Sequence, residues 1–362
     1  MKSFLKHIWK LITKPGRGKR VFVGVSGGVD SSVTALLLKV YGYDVTGVFI
    51  RTWQPDWTPC TWQDERRDAM RVCAHLEIPF IELNLEQEYK QGVADYMITE
   101  YRKGRTPNPD VMCNKEVKFG GFLNYAIDSG ADFVATGHYA QTDQKNLIKG
   151  IDEKKDQSYF LWTLNNEQLQ RILFPVGGFE KSFVRFLARL YRIPVAMKKD
   201  SQGICFLGDI DMKEFLSHYI ETSVGVVKNE QDDIIGTHDG VLLYTIGERH
   251  GFTIHKKTPN DEPYYVVGKN IPTNELIVSQ KIKNSDEVMN VLITDIVERT
   301  PFQELKKYHA QIRYHGIFHV CTLEKQEDGI YKVIFEKGEQ VSAGQSIVFY
   351  DGTICIGGGV VQ

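Results

Sequence analysis

Short apolar runs alternate with longer amphipathic segments through the first half of the chain. Val21, Phe22 and Val23 form a β-branched and aromatic run that predicts a buried strand. Predicted strands and helices then alternate to about residue 210, which indicates a doubly wound α/β fold, a parallel sheet with helices on both faces. The predicted strands are 20–24, 43–50, 79–83 and 132–136, and the predicted helices are 33–40, 63–76, 86–103 and 115–127.

The second half of the chain loses this alternation. Residues 212–275 combine short β-prone runs with several glycines and predict a small central β-rich domain. From residue 276 onward, short strands and glycine turns predict an antiparallel β-barrel, with strands at 288–296, 309–314, 331–335 and 346–349. The 362 residues suffice for several domains. The predicted division is a basic extension 1–19, a catalytic domain 20–211, a central domain 212–275 and a barrel 276–362.

The first 20 residues carry only basic charge, whereas the whole chain has a formal net charge of -2. Any nucleic acid must therefore bind to local patches. The segment predicts a phosphate-contacting arm or a membrane-surface helix, with a partly ordered extension as the alternative. Its apolar residues, which share one face of a helix, are Phe4, Leu5, Ile8, Trp9 and Ile12, and its basic residues are Lys2, Lys6, Lys10, Lys14, Arg17, Lys19 and Arg20.

The rest of the composition indicates a cytoplasmic protein. No apolar run approaches the ~20 residues of a membrane span, and the N-terminus lacks a secretory pattern. The six cysteines include no CxxC pair, so neither a zinc site nor a disulfide framework is indicated. Reduced thiols in the cytoplasm are the simplest expectation.

A glycine-rich turn follows the first predicted strand and precedes a predicted helix. Gly27 and Gly28 allow positive φ and close approach of a ligand, and the helix N-terminus favours an anion. Asp30 adds a carboxylate for Mg²⁺ or a leaving pyrophosphate. An ordinary serine-capped turn is the alternative. The predicted nucleotide-binding residues of this turn are Gly24, Val25, Ser26, Gly27, Gly28, Val29, Asp30 and Ser31.

Two further segments, 104–114 and 200–206, place cysteines among polar, glycine-containing residues. Cys113 lies beside a predicted helix start and Lys115, a setting that favours a reactive thiolate; an inert half-buried thiol is the alternative. Together with Cys205 it suggests a paired role. The remaining thiols, at 60, 73, 321 and 355, are predicted to be structural. His315 and His319 have the spacing of some metal ligands but no third ligand, and they are predicted to be surface histidines.

The motifs SGGVDSS, TPNPDVMCN, TGHYA, KDQSYFLW and DSQGICF occur in this order. In this combination the chain resembles the tRNA-specific 2-thiouridylase (MnmA) family of the PP-loop ATP pyrophosphatases. The resemblance implies a Rossmann-like, adenine-nucleotide-hydrolase-like first domain. It also implies a transferase that uses ATP to adenylate O2 of the wobble uridine, position 34 of tRNA. Sulfur from a cysteine persulfide then replaces that oxygen, giving 2-thiouridine, AMP and pyrophosphate.

The resemblance assigns roles to individual residues. Cys205 would carry the persulfide, Cys113 would act as nucleophile and end in a Cys113–Cys205 disulfide, and Asp110 would be the acid–base group. Two positions outside the turn would contact ATP, Ile50 and Gly137. The implied tRNA contacts are Asn108, Pro109, Asp110, His138, Lys155, Asp156, Gln157, Arg313, Tyr314 and Gln345. One departure from the family is Glu248, which stands where a glutamine is usual.

The implied partners are tRNA for Lys, Glu and Gln, and a persulfide donor, either a cysteine desulfurase or a sulfur relay protein. Three alternatives stay open. The chain could be an amidating or ligating ATP pyrophosphatase that needs neither cysteine. It could be a nucleotide-responsive RNA-binding protein without turnover. In the third, Asp110, Cys113 and Cys205 would ligate an iron–sulfur cluster.

Overall fold

The computed structural model describes residues 2–58, 62–200, 203, 205–206, 208, 210–256, 262–280, 288–337 and 341–362, with the backbone alone for residues 2–6. Its first seven strands are β1 Arg20–Gly24, β2 Asp44–Arg51, β3 Phe80–Asn84, β4 Phe133–Ala135, β5 Ala140–Thr142, β6 Leu147–Lys149 and β7 Ile172–Leu173. Five of them form a parallel sheet in the order β3-β2-β1-β4-β7.

Helices fill the connections between these strands. The α-helices are α1 Lys2–Thr13, α2 Val29–Val40, α3 Trp62–His75, α4 Glu86–Tyr89, α5 Tyr96–Arg102, α6 Pro109–Met112, α7 Phe122–Asp128, α8 Asn166–Leu169 and α9 Lys181–Leu190. Two π-helical segments, Lys90–Asp95 and Cys113–Gly121, join α4 to α5 and α6 to α7. Single 3₁₀ turns lie at Ser158–Leu161 and Pro175–Gly178.

Both faces of this sheet are covered. Val21 and Val23 of β1 are fully buried with Leu37 on one side. Phe22, between them, points to the other side and packs in a core that contains Phe122. This alternation follows from the period of two residues along a strand, and it confirms the predicted doubly wound sheet.

The predicted helix start at residue 115 is wrong. The helix begins at Pro109, and Asn108 caps it by accepting a hydrogen bond from the Val111 N–H at 3.3 Å. A capping asparagine followed by proline is a favourable helix start. The segment predicted as a loop therefore becomes helical before Cys113.

The central unit contains α10 Met212–Ser217, a 3₁₀ turn Val241–Leu243, and the strands β8 Gly225–Lys228, β9 Ile234–His238, β10 Phe252–Ile254, β11 Tyr265–Asn270 and β12 Glu275–Ser279. These strands form one sheet in the order β10-β9-β8-β12-β11. The sheet extends past the predicted domain limit at residue 275, because β12 pairs along its length with β11 and runs parallel to β8.

The last strands close into an antiparallel barrel, as predicted. They are β13 Met289–Glu298, β14 Tyr308–Gln311, β15 Phe318–Lys325, β16 Tyr331–Phe335, β17 Ser346–Asp351 and β18 Ile354–Val361, with a 3₁₀ turn at Glu327–Gly329. The order is β13-β16-β15-β14-β17-β18, and β18 pairs with β13 to close the circle. The sequence did not predict β15 or the glycine-rich β18.

The barrel is attached to the catalytic sheet domain by main-chain pairing and by one buried arginine. Strand β6 of the sheet domain pairs with β18 of the barrel. Arg299 donates hydrogen bonds to the carbonyls of Trp162, Leu164 and Cys355 at 2.7–3.1 Å. These contacts fix the barrel against β6 and the segment that contains Trp162 and Leu164.

The basic extension is helical and docks through one side. His7 forms a 2.7 Å hydrogen bond with the Tyr41 hydroxyl and packs edge-on against Phe179. Trp9 and Ile12 are exposed, while the side chains of Phe4 and Leu5 lie outside the described residues. Among the described helices, none has the length and apolar character needed to cross a bilayer.

The predictions for the other cysteines and for His319 have different outcomes. Cys73, Cys321 and Cys355 are buried, as expected of structural thiols, while Cys60 lies outside the described residues. The prediction of a surface position is wrong for His319, which is buried, contacts the Phe335 ring and has its Nδ1 3.2 Å from the Lys337 carbonyl oxygen.

Candidate active site

The glycine-rich turn lies at the carboxyl end of β1, directly before α2. Gly27 has φ +69°, and a Cβ there would lie 2.5 Å from the Glu65 carbonyl oxygen. Only glycine fits that position. No side chain caps the N-terminus of α2, so its amide groups and positive dipole are directed at the space above the turn. Such an end binds phosphate readily.

Hydroxyl groups hold the turn in this shape. The Ser31 hydroxyl accepts from the Ser26 N–H and lies 3.2 Å from the Ser26 hydroxyl. Gly137, at the end of β4, packs against the turn so closely that a Cβ would lie 2.7 Å from the Ser31 nitrogen. Ile50 is buried at the end of β2, and its contact with nucleotide stays a prediction.

A network of charges surrounds Asp30. Lys181, the first residue of α9, contacts both carboxylate oxygens of Asp30 at 2.7 Å, and the Tyr139 hydroxyl donates to Asp30 Oδ1 at 2.8 Å. Lys181 also contacts Asp200 at 3.0 Å. The network therefore links the nucleotide turn to Asp200, the first residue of the 200–206 segment that contains Cys205.

Asp200 is the most strongly paired carboxylate of this network. It also binds Lys155 at 3.1 Å and Arg185. Burial favours a higher pKa for Asp200, but hydrogen bonds from Lys181, Lys155 and Arg185 outweigh it and hold the pKa far below its ordinary value. The sequence did not single out Lys181 or Arg185, because nothing local marks a lysine or arginine of an amphipathic helix as part of a site.

The two predicted thiols meet. The Cys113 and Cys205 sulfurs lie 3.4 Å apart, although the residues are 92 positions apart in the chain. Asp110 accepts a hydrogen bond from the Cys205 N–H at 2.9 Å, and the Tyr89 hydroxyl donates to the Cys205 carbonyl at 2.9 Å. The predicted proximity of the two thiols is confirmed, while their chemical roles stay predictions.

The cation beside the thiols is Lys118, and the expectation for Lys115 is wrong. Lys115 is exposed and pairs with Glu116 at 3.4 Å. The charge of Lys118 instead acts on Cys205, and its ammonium lies 3.4 Å from His138 Nε2. The displaced helix start explains the error, because it changes which lysine faces the pocket.

The two thiols differ in acidity. Burial raises the pKa of Cys113 well above the ordinary value, and its hydrogen bond to Cys205 adds to the shift; the reactive thiolate predicted at Cys113 stays a prediction. The pKa of Cys205 is lowered, first by the hydrogen bond from Cys113 and also by the charge of Lys118. Burial raises the pKa of Asp110. Cys205 is therefore the thiol that carries negative charge most readily.

Most of the predicted tRNA contacts have protein partners. His138 is buried between Thr136 and Lys118. The Asp156 carboxylate binds the N–H groups of Gly150 and Ser158. Gln157 accepts from the Tyr139 N–H, Lys155 binds Asp200, and Gln345 donates to the Thr106 carbonyl. These contacts show what the side chains hold in place, and direct RNA contact stays a prediction for each.

Arg313 and Tyr314 lie at the barrel rim beside the thiol pocket. Arg313 is exposed. The Tyr314 ring stacks on His315 with 3.9 Å between centroids and lies 4.4 Å from the Phe160 ring. The Phe160 carbonyl accepts from Asn114 Nδ2, next to Cys113. The rim therefore provides a cation and an aromatic surface close to the sulfurs, as base stacking would require.

The arrangement of Asp110, Cys113 and Cys205 does not fit an iron–sulfur cluster. The Asp110 carboxylate is bonded to the Cys205 amide, and the sulfurs face each other at 3.4 Å. In the part of the chain that the structure describes, no three His, Cys, Asp or Glu side chains converge as a metal-holding group. The proposed reaction therefore has no step through a cluster. For Mg²⁺ the fitting donor is Asp30, whose carboxylate Lys181 now neutralises.

Three family models match the chain in succession. Residues 19–209 match the tRNA methyl transferase HUP domain, residues 213–280 the tRNA methyl transferase PRC-barrel domain, and residues 289–361 the aminomethyltransferase β-barrel domain. Among solved structures, the U34-tRNA thiolase NcsA from Methanococcus maripaludis with its [4Fe–4S] cluster has a TM-score of 0.38 and 16% identity, covering 60% of this chain and 70% of that chain.

The curated relatives are much closer. The tRNA-specific 2-thiouridylase MnmA of Listeria innocua serovar 6a is 44% identical over 353 residues, which is 95% of this chain and 94% of that protein. The tRNA-specific 2-thiouridylase MnmA of Pseudomonas fluorescens is 43% identical over 355 residues, 95% of each chain. On the strength of this identity, and of the three family models, the chain belongs to the tRNA-specific 2-thiouridylase (MnmA) family.

Proposed function

We propose that this protein is an ATP-dependent tRNA sulfurtransferase that converts the wobble uridine, position 34, to 2-thiouridine. The single observation that carries the proposal is the 3.4 Å contact between the Cys113 and Cys205 sulfurs. Those thiols lie close to the nucleotide turn, because Lys118 contacts His138 and the adjacent Gly137 packs on Ser31. Activation and sulfur transfer can then occur at one base.

The first step activates the base. Uridine O2 attacks the α-phosphorus of ATP, an O–P bond forms, and pyrophosphate leaves with the electron pair of the broken P–O bond. The amide groups of the turn and of α2 stabilise the phosphate charge. Lys181 moves its charge from Asp30 to the phosphates, and Asp30 becomes available to Mg²⁺.

The second step transfers sulfur. The terminal sulfur of a Cys205 persulfide attacks C2 of the adenylated base, and AMP leaves with the electron pair of the C2–O bond. Cys113, after losing its proton, attacks the Cys205 sulfur. The persulfide S–S bond breaks toward the base, which keeps the sulfur, and a Cys113–Cys205 disulfide remains for a thiol reductant. Asp110 is positioned as the acid–base group for these proton movements.

The RNA is proposed to approach from the barrel rim. A uracil inside an anticodon loop must be splayed out before it reaches the thiols, and Arg313 and Tyr314 offer phosphate and stacking contacts there. Asn108 and Pro109 would line the uracil pocket. The proposed substrates are tRNAs for Lys, Glu and Gln, and the sulfur source is a protein persulfide.

The test replaces each thiol by serine. In Cys205→Ser and Cys113→Ser, 2-thiouridine in tRNA, measured by mass spectrometry of nucleosides, should fall to background. Release of AMP and pyrophosphate should persist at a reduced rate. Cys73→Ser is the matched control, since Cys73 is a buried thiol in α3.

Two results would contradict the proposal. Full 2-thiouridine formation in either site variant would remove the thiols from the chemistry and favour the amidating or ligating alternative. Tight tRNA binding without any pyrophosphate release by the unchanged protein would favour the RNA-binding alternative.

A further inference from the structure

We propose that Lys118 is a further catalytic residue, whose ammonium keeps the Cys205 sulfur in the thiolate form that takes sulfur from a cysteine persulfide. This role rests on the proposed function, since it concerns how Cys205 is loaded with sulfur. It assigns the cation of the thiol site to Lys118, where the sequence had indicated Lys115.

The π-helical segment Cys113–Gly121 places Lys118 at the thiols. Hydrogen bonds in a π-helix run between residues five apart, so Cys113 and Lys118 lie on nearly the same side. In an α-helix, with 3.6 residues per turn, these two positions would diverge around the axis. The π-helical geometry therefore turns a lysine five residues after the first thiol toward the second thiol.

The surroundings of Lys118 are the thiol pocket itself. Lys118 is half-buried, its ammonium lies 5.7 Å from the centroid of the ring of Phe206, the residue after Cys205, and its charge lowers the pKa of Cys205. The titratable groups that face Cys205 are Cys113, Asp110, Lys118 and Tyr89. Lys118 is the one cation of this described set.

His138 fixes the direction of the ammonium. An ammonium only donates hydrogen bonds, so His138 Nε2, 3.4 Å from Lys118 Nζ, must accept. The other nitrogen, Nδ1, then carries the proton and donates to the Thr136 hydroxyl at 2.7 Å. Burial and the charge of Lys118 lower the pKa of His138 well below its ordinary value. We assign neutral His138 as a positioning residue for Lys118.

The three ionisable neighbours of Lys118 do not share the charge equally. Burial opposes a charged Lys118, but the sulfurs of Cys205 and Cys113 raise its pKa above the ordinary value. Cys205 has the lowered pKa, while the pKa values of Cys113 and Asp110 are raised. The proposed ion pair is therefore the one between Lys118 and Cys205, since Cys205 is the group of this pocket whose ionised form is favoured.

The loading step is balanced without an oxidant. The Cys205 thiolate attacks the outer sulfur of the donor cysteine persulfide and forms a new S–S bond. The donor S–S bond breaks, and its electron pair stays on the donor cysteine, which leaves as a thiolate. Lys118 stabilises the sulfur anion before the attack and the persulfide anion after it.

The experiment measures the reactivity of Cys205 against pH in the full chain, without ATP or tRNA. Iodoacetamide is the probe, and peptide mass spectrometry follows Cys205 and Cys113 separately. In the unchanged protein the midpoint for Cys205 should lie below the ordinary thiol value of about 8.5. In Lys118→Met it should rise by at least about one pH unit, so the rate at pH 7 falls about tenfold.

Two further variants serve as controls for this measurement. Lys118→Arg keeps the charge and should restore most of the low midpoint. Lys115→Met removes an exposed lysine of the same helix and should leave the midpoint unchanged. Loading of Cys205 by glutathione persulfide, read as a mass increase of one sulfur atom, should follow the same order among the variants.

Two outcomes would overturn the role of Lys118. One is an ordinary or raised midpoint for Cys205 in the unchanged protein, which needs no variant to fold. The other is an unchanged midpoint in a folded Lys118→Met protein. Neither depends on 2-thiouridine formation, whereas the proposed function fails when Cys205→Ser still makes 2-thiouridine, so the two failures are distinguishable.

Discussion

The nucleotide turn and the thiol pocket are neighbours that hold charge in opposite ways. Around the turn, carboxylates and cations are matched: Asp30 binds Lys181, and Asp200 binds Lys181, Lys155 and Arg185. In the pocket, the ammonium of Lys118 faces two thiols and one carboxyl group. In the first region three cations already pair with both carboxylates before any ligand arrives, whereas in the second region three groups compete for one cation.

This difference suits the two kinds of chemistry. Phosphates bring negative charge to the turn, so the Asp30–Lys181 pair must open and Lys181 must change partner. In the pocket, the competition decides which group is ionised first. The pKa of Cys205 is lowered and that of Cys113 is raised, so the pocket favours Cys205 over Cys113 as the thiol that ionises.

The largest effect is expected from Lys181→Met, which removes the ion pairs to Asp30 and Asp200 and leaves the thiol pocket unchanged. Loss of a cation aimed at the phosphates should lower AMP formation by about 10²–10³-fold. The pH midpoint for alkylation of Cys205 should not move, because Lys118 sets it. The control is Lys306→Met, which removes a lysine bonded to Asp351 of the barrel at 2.7 Å. Equal losses of AMP formation in both variants would show that the effect is not specific to the turn.

A smaller effect on activity is expected from Asp110→Asn, which removes a competitor from the pocket. Loss of the acid–base group should lower 2-thiouridine formation by about 10²-fold. The amide oxygen of the substituted side chain can still accept the Cys205 N–H bond, so the Cys205 segment should stay in place. AMP formation and 2-thiouridine formation, assayed together, separate the two regions.

The same variant has a defined effect on stability. Burial raises the pKa of Asp110 in the folded state, so ionising it there costs more than in the unfolded chain. Stability is lost as the pH rises from the unfolded value through the folded value, and Asp110→Asn avoids that loss. The urea midpoint of the variant should exceed that of the unchanged protein at pH 7, and the two should converge at low pH. A lower midpoint at pH 7 would contradict this account.

The local pattern of apolar residues and glycines was enough to predict the sheet and the turn on which the site is built. The run Val21–Val23, the glycines that follow it and the alternation of elements predicted the doubly wound sheet and the turn, since each depends on near neighbours in sequence. The motifs around Cys113 and Cys205 indicated a thiol pair. Their meeting at 3.4 Å still required the fold, because 92 residues separate them.

The electrostatics of the site could not be predicted in this way. A helix start six residues earlier than expected, followed by a π-helical segment, decides that Lys118 and not Lys115 faces the thiols. Lys181 reaches Asp30 from another helix across 151 positions of sequence. The glycines at 357–359 lie in β18, where neighbouring strands and the Trp162 ring come too close for a side chain, and this packing is not visible in the local sequence.

The smallest effect is expected at the barrel rim, outside both regions. Arg313→Ala should weaken tRNA binding a few-fold at physiological salt, and the slope of log K against log salt should become less negative by about 0.7–0.9 for one lost phosphate contact. Lys325→Ala, an exposed cation elsewhere on the barrel, should leave the slope unchanged. The pH midpoint for Cys205 should be the same in both variants. An unchanged slope in Arg313→Ala would remove Arg313 from the interface, and the stacked Tyr314 and His315 rings would then be the remaining candidates for holding the base at the pocket.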